Sequence, residues 1–312
     1  MMRFWAGGAV VLALLALAPV VVHNEYFFFA AYVVLQFIVL ATAWNILGGY
    51  AGYVNFGSGA FFAVGAYTAV ALYKAFALPL GLQILAGAAA SALLGFGVGL
   101  LTLRLRGIFF SIATIAVAIV LETVVVNWQY VGGAKGLPTL RPAEAPLFGS
   151  YTVWLFFVMA ALAVLAVGAA RYIETSWIGR GLRAIRDNEG AAECSGVPTL
   201  KLKLAAATLS GALMGAAGAP FAQYLSFIEP TSTFSLNYAV NALAMPIIGG
   251  MGHWIGPVIG ALLLGTVQQV VTVTISSEVN VLVVGVLLVI FVVAAPEGIL
   301  GLVRKIFSRN GK

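Results

Sequence analysis

The chain is a succession of apolar runs, most of them near bilayer-crossing length, broken by short polar intervals. A hydrocarbon core about 30 Å thick takes about 20 helical residues. In lipid the backbone must satisfy its own hydrogen bonds, so such runs fold as helices. The runs fall at roughly 1–22, 26–47, 57–75, 80–103, 108–130, 151–170, 204–222, 237–250, 255–273 and 281–300. About ten spans are therefore expected, with 237–250 short enough to be broken or tilted. Charged residues make up 8% of the 312 and hydrophobic ones 62%. Soluble domains carry about a quarter charged residues, so this chain cannot cover a water-facing surface of its size. It reads as an all-α integral membrane protein, a single domain over 1–312. Thirty-six glycines suit helices packed closely in lipid. Met1 to Val22 has the outline of a signal peptide, with Ala16-Leu17-Ala18 as a cleavage-like site. Pro19 directly after it argues against cleavage, and the segment is taken as the first span.

One long polar interval stands out, at about 171–203. It carries Arg171, Arg180, Arg183, Arg186, Lys201 and Lys203, together with Glu174, Asp187, Glu189 and Glu193. Ile178, Leu182, Ile185 and Ala192 recur at helical spacing between the charges. Asp187 or Asn188 can cap a second short helix beginning near Glu189. Gly196 tolerates a left-handed turn and Pro198 cannot continue a helix, so the two can end it. The expectation is a compact helical elbow outside the bilayer. Its small residues Gly190, Ala191 and Ala192 would let a partner surface approach, while its charges set register. The plainer alternative is a solvated turn whose charges only fix topology.

Orientation follows from the basic residues. With ten spans and a cytoplasmic amino terminus, the inside segments carry Arg3, Arg104, Arg106, the six of the elbow region, Arg304, Lys305, Arg309 and Lys312. The outside segments carry only Lys74, Lys135 and Arg141. Positive residues accumulate inside, so both termini and the elbow are expected in the cytoplasm. The basic tail after Pro296 would then face anionic lipid.

Two uncharged glycine-rich stretches, 45–57 and 249–257, fall on the same side as the elbow. Glycine permits backbone shapes that other residues resist, and irregular backbone at membrane depth survives only inside protein or along a cavity. The alternatives are close packing with tight turns, or an element bordering a solute path. Asn45, Gly49, Gly52, Asn55, Gly250 and Gly252 are the path candidates here. Glu122 joins them as the one acid placed inside a span, where an ionisable group usually faces protein or water. Asn127, Asn237 and Asn241 are weaker candidates, of which Asn241 is retained, and they read equally as interhelical hydrogen-bonders.

Several classes are excluded. One cysteine, Cys194, and two histidines, His23 and His253, supply no disulfide, metal cluster or catalytic triad, so no catalytic residue, metal or cofactor is expected. No G-x-x-x-x-G-K-[ST] pattern is present, so the chain has no phosphate loop for ATP. The net charge of +6 lies in membrane-flanking loops, which does not indicate nucleic acid. A stand-alone secondary transporter or channel for small neutral or zwitterionic solutes remains an alternative, although coupling by ionisable residues would have only Glu122 to use. No Lys or Arg lies well inside the spans, and a permanent ion would need such groups or coordinating carbonyls to offset its lost hydration. A zwitterion or neutral solute fits better.

The order and spacing of several stretches resemble the permease family of branched-chain amino acid ABC importers, in its LivM-like half. They are 45–67 (NILGGYAGYVNFGSGAFFAVGAY), 104–114 (RLRGIFFSIAT), 132–137 (GGAKGL), 179–196 in the elbow, 249–261, and Ala295-Pro296-Glu297-Gly298. The elbow is also similar to the EAA loop of ABC permeases. Ala191, Ala192 and Gly196 keep its spacing, while Gly190 stands where the motif's Glu is expected and the downstream Ile and Leu-Pro are absent. The resemblance implies an ABC-importer permease bundle in the cell (inner) membrane. It implies a paralogous permease as partner, two cytoplasmic ATPase subunits docked on the elbows, and an extracytoplasmic solute-binding protein. The docking residues it implies are Arg183, Arg186, Asp187, Glu189, Gly190, Ala191, Ala192, Glu193 and Gly196. Relatives carry leucine, isoleucine and valine, and also amides, urea and other small solutes.

Overall fold

The structure, a computed structural model, describes residues 2–21, 24–105, 107–139, 150–274, 277–295 and 297–309. His23, Arg106, Arg141, Pro296 and Lys312 lie outside the described residues. In chain order the helices are α1 (Met2–Ala16), α2 (Ala18–Val21), α3 (Glu25–Ala51), α4 (Ser58–Phe76), α5 (Leu80–Thr102), α6 (Ile108–Val126), α7 (Tyr151–Thr175) and α8 (Trp177–Cys194). They continue with α9 (Thr199–Leu225), α10 (Pro230–Thr233), α11 (Leu236–Gly249), α12 (Gly256–Thr274), α13 (Ser277–Ala294) and α14 (Gly298–Arg309).

Each apolar run has helix in its described residues, with 1–22 divided between α1 and α2 and 281–300 shared by α13 and α14. Among the described residues seven of these helices, α3 to α7, α9 and α12, are long and apolar enough to cross a membrane. The others are shorter. Helix α1 has 15 residues, α11 has 14 and α13 has 18. At 1.5 Å per residue α11 is about 21 Å long, shorter than a hydrocarbon core of about 30 Å, as expected of the run at 237–250. Between α9 and α11 the chain folds back along α4 through α10. Ser235, which caps α11 by accepting the Asn237 N–H, lies against Gly59 at the start of α4.

Helices α3 and α9 are the most buried. Helix α9 packs on α5, α4, α3 and α7, and α3 packs on α7, α9, α12 and α11. The reason α5 fits beside α9 is written in its sequence. Its buried residues are Gln83, Gly87, Ser91, Gly95, Gly99 and Thr102, a stripe at three- to four-residue spacing along one helix face. Small side chains let backbones approach, which is how helices associate where lipid removes the hydrophobic drive. A Cβ on Gly87 would meet the Gly65 carbonyl oxygen at 3.0 Å and that of Gly215 at 3.2 Å. Helices α4, α5 and α9 thus touch backbone to backbone. The Ser91 hydroxyl adds a bond to the Phe61 carbonyl at 2.8 Å.

At the end of the bundle opposite α8, a minimal antiparallel pair joins β1 (Leu137–Pro138) to β2 (Phe227–Ile228). The Thr139 N–H donates to the Ser226 carbonyl at 2.9 Å. This pinning of the α6–α7 connection onto the end of α9 has no counterpart in the sequence reading.

Candidate functional site

The polar interval folds as the expected elbow. Helix α8 starts at Ser176, whose hydroxyl accepts the Gly179 N–H. Helix α8 breaks at Asn188, where the backbone is extended (φ −163°, ψ 106°). The Asn188 side chain accepts the Ala191 N–H at 3.0 Å, so Asn188 rather than Asp187 caps the second half. Gly196 takes the left-handed conformation at φ 80°, and the Val197 N–H closes on the Ala192 carbonyl at 3.0 Å. That pairing ends the helix by satisfying its last carbonyls.

The elbow has an inner and an outer face. Leu182, Ile185 and Ala192 are buried in a cluster with Ile46, Leu47, Tyr50 and Leu202. Asp187, Asn188, Ala191, Glu193 and Cys194 are exposed, and Gly190 is half-buried beside them. Glu193 also accepts the Thr199 hydroxyl at 2.7 Å. Of the small residues singled out in the sequence, Ala192 therefore serves the core, while Gly190 and Ala191 lie on the outer crest.

The inner face meets both glycine stretches. Arg186 donates to the Gly49 carbonyl at 3.0 Å, and its side chain crosses Gly52, where a Cβ would meet Arg186 Cγ at 2.9 Å. Gly52 is also left-handed, at φ 78°, and ends α3. From the other stretch, the Gly252 N–H donates to Asn45 Oδ1 at 3.2 Å, and Asn45 Nδ2 donates to the His253 carbonyl at 3.3 Å. Glu174 closes the junction. It accepts the Trp254 N–H at 2.7 Å and the Tyr50 hydroxyl at 3.4 Å, and lies 3.7 Å from His253 Nε2. Arg183 reaches back to the Glu174 carbonyl at 3.0 Å, fixing the bend between α7 and α8. The elbow and the two glycine stretches, remote in sequence, are thus one hydrogen-bonded junction.

The other path candidates lie apart from it. Asn55 is buried in the α3–α4 linker. Its side chain accepts the Gly57 N–H at 2.7 Å, and its carbonyl accepts Trp44 Nε1 at 2.8 Å. Asn241 on α11 accepts from Gln268 of α12 at 2.7 Å, an interhelical bond. Asn127 bonds its own helix at Thr123. Gly250 ends α11 at φ 121° beside Glu297 and Leu300. Glu122 is half-exposed on α6, which packs chiefly on α4, α5 and α10, and it makes no hydrogen bond or ion pair among the described residues. Substitution at such a position usually costs within about 0.5 kcal/mol, so Glu122→Gln is expected to change uptake by no more than about two-fold in a reconstituted transport assay.

Sequence reasoning missed Lys203 and Tyr53. Lys203 counts in the sequence as one more cytoplasmic charge, yet it is 3% exposed and pairs with Glu189 at 2.5 Å. Its position four residues into the apolar-patterned α9 was the available signal. Among the described residues no group of three His, Cys, Asp or Glu side chains could hold a metal ion.

Helices long and apolar enough to cross a membrane, packed as a bundle with a polar elbow hooked onto two glycine-rich turns at one end, make this a multi-pass membrane protein. The chain belongs to the family described as branched-chain amino acid transport system / permease component, which matches residues 26–292. It is similar to the high-affinity branched-chain amino acid transport system permease protein LivM of Salmonella typhimurium, at 28% identity over 86% of this chain and 68% of that protein. It is likewise 28% identical to the LivM protein of Escherichia coli, over 88% of this chain and 70% of that protein. A probable LivH permease of Methanocaldococcus jannaschii is 28% identical over 52% of this chain and 51% of its own length. No solved structure matches.

Proposed function

We propose that the chain is one membrane subunit of an ATP-driven, binding-protein-dependent importer of branched-chain amino acids or related small solutes such as amides and urea. Ten spans, counting α1, α11 and α13, put both termini and the elbow in the cytoplasm of a cell whose inner membrane holds the complex. A paralogous permease completes the path, an extracytoplasmic binding protein delivers solute, and two cytoplasmic ATPase subunits supply the energy. The relatives named LivM and LivH support a pairing of two such permeases.

The observation that carries this reading is the elbow's two-faced construction. Its inner face is bonded to both glycine stretches through Arg186, Glu174 and Asn45. Its outer crest of Asp187, Asn188, Gly190, Ala191 and Glu193 is left to a partner. A push on the crest then reaches the ends of α3 and α11 directly. The solute is zwitterionic or neutral, because the described spans place no Lys or Arg within the bundle away from its ends.

Cys194 is the chain's single cysteine and is exposed on the crest, so it reports docking without engineering. In the reconstituted complex, ATPase subunits are expected to protect Cys194 from a membrane-impermeant maleimide, and leucine uptake should require ATP. Full Cys194 reactivity in a complex that transports would remove the docking role of the crest. Uptake of a dicarboxylate or polyamine with leucine and small amides rejected would overturn the solute assignment.

A further inference from the structure

Lys203 is the one charged residue among the described residues that is buried outright. Its ammonium carries three protons and has three acceptors: Glu189 at 2.5 Å, the Leu103 carbonyl at 2.9 Å and the Tyr53 hydroxyl at 3.0 Å. The Tyr53 hydroxyl in turn donates to the second Glu189 oxygen at 2.8 Å. Lysine, carboxylate and phenol form a closed ring, with the Glu189 side chain only 13% exposed. Four segments meet there: the second half of α8, the start of α9, the α3–α4 linker, and the residue that caps α5.

The position of Glu189 matters. It is the first residue after the break at Asn188. On the other side of the break, Arg186 holds the Gly49 carbonyl. Each half of the elbow therefore has its own grip on the end of α3, one at Gly49 and one at Tyr53, with the left-handed Gly52 between them.

We propose that the Lys203–Glu189–Tyr53 ring is the joint that carries movement of the elbow into α9, α5 and the α3–α4 linker. Glu189 and Lys203 are then positioning residues for transport, and Glu189 turns toward the membrane domain instead of contacting an ATPase. A surface ion pair would slip under load, since exposed pairs are weak and screened. A buried pair cannot separate without leaving a charge unpaired in a medium of low dielectric. The ring therefore moves as a unit, and the chain bends at Asn188, where α8 has no helical bond continuity to lose. This inference deepens the docking reading and rests on it.

The test uses the full reconstituted complex and reads leucine uptake per ATP hydrolysed, Cys194 protection and thermal stability. Glu189→Gln and Lys203→Met are each expected to lower uptake per ATP about ten-fold, with Cys194 still protected by the ATPase. Tyr53→Phe keeps the ion pair but opens the ring, and is expected to lower the ratio about three-fold. It carries the test where a single charge deletion fails to fold. The double variant Glu189→Met with Lys203→Met should recover stability, because a buried pair is often replaceable by apolar side chains, while uptake per ATP stays low. A wild-type ratio in Glu189→Gln and Tyr53→Phe would overturn the joint. So would a double variant that regains coupling together with stability, since the pair would then be merely structural. Absence of Cys194 protection in the wild type would instead sink the docking reading, and the joint with it.

Discussion

Gly215→Leu should leave almost no folded protein, whereas Gly97→Leu should be tolerated. The two glycines look alike in the sequence, each flanked by apolar residues in a helix. Their surroundings differ completely. A Cβ on Gly215 would come within 2.5 Å of the Gly87 carbonyl oxygen and overlap the Ser91 side chain, while one on Gly97 would meet nothing within 4 Å. The Gly215 backbone also lies against Gly65 of α4, so α9 has little room to shift. Overpacking a tight core costs about 1–3 kcal/mol when side chains can yield, and more otherwise. Here the obstacles are the Ser91 side chain, held by its bond to the Phe61 carbonyl, and the Gly87 carbonyl of α5. Natural folds hold only about 5–15 kcal/mol in reserve, so the loss of folded material should be at least about ten-fold. Size-exclusion chromatography of a fluorescent fusion in detergent measures it. A monodisperse Gly215→Leu protein at wild-type yield would show that α4, α5 and α9 do not meet as described.

That contrast marks what could be read from residues alone. The apolar runs are visible because lipid leaves helices as the only open-ended solution, and each run has helix in its described residues. The elbow was also legible down to its cap and stop, since Asn188 and Gly196 act through local backbone geometry. The α5 stripe is present as a four-residue repeat of Gln83, Gly87, Ser91, Gly95 and Gly99, but nothing in the repeat says which helix faces it. The junction was half legible. Glycine density flagged both 45–57 and 249–257, yet their meeting through Asn45 links residues 207 positions apart, and no spacing rule reaches that far. Lys203 was misjudged for a related reason. Charge in a loop-flanking position signals topology on average, and only the fold reveals that its neighbours are Glu189, Tyr53 and the end of α5. Ala192 shows the same limit on a smaller scale, since a small residue suits both a docking crest and a packed interior. The length of α11 was foreseen, while the fold-back of α10 that precedes it was not.

Asn45→Leu is expected to abolish most transport while leaving the protein in the membrane. Asn45 is fully buried and makes the direct bonds from α3 to the turn after α11, accepting from Gly252 and donating to the His253 carbonyl. Leucine has similar bulk but neither donor nor acceptor. The half-buried Gly252 N–H and His253 carbonyl would lose their partner, and a group left unsatisfied away from water costs up to about 1–3 kcal/mol. The cost falls on a turn rather than on the helix packing, because Leu is itself at home in lipid-buried α3, whose neighbours Leu40, Ala41 and Ile46 are apolar and buried. Insertion and yield should therefore change little. What is lost is the fixed relation between the end of α3, held by Arg186 from the elbow, and the 250–255 turn, held by Glu174 from α7. If the junction passes elbow motion to both turns, uptake per ATP should fall by about ten-fold or more. Gly49→Val should act alike from the opposite direction. A Cβ there would overlap the Asn45 side-chain oxygen and drive the amide off the same two groups. Thiol accessibility offers an independent check in a background where Cys194 is replaced. Cysteines at Ala51 and Met251 should change their reactivity together between resting and nucleotide-bound states in the otherwise wild-type complex, and independently in the Asn45→Leu complex. Concerted changes that persist in Asn45→Leu, with wild-type uptake, would mean that the two turns are joined by packing alone.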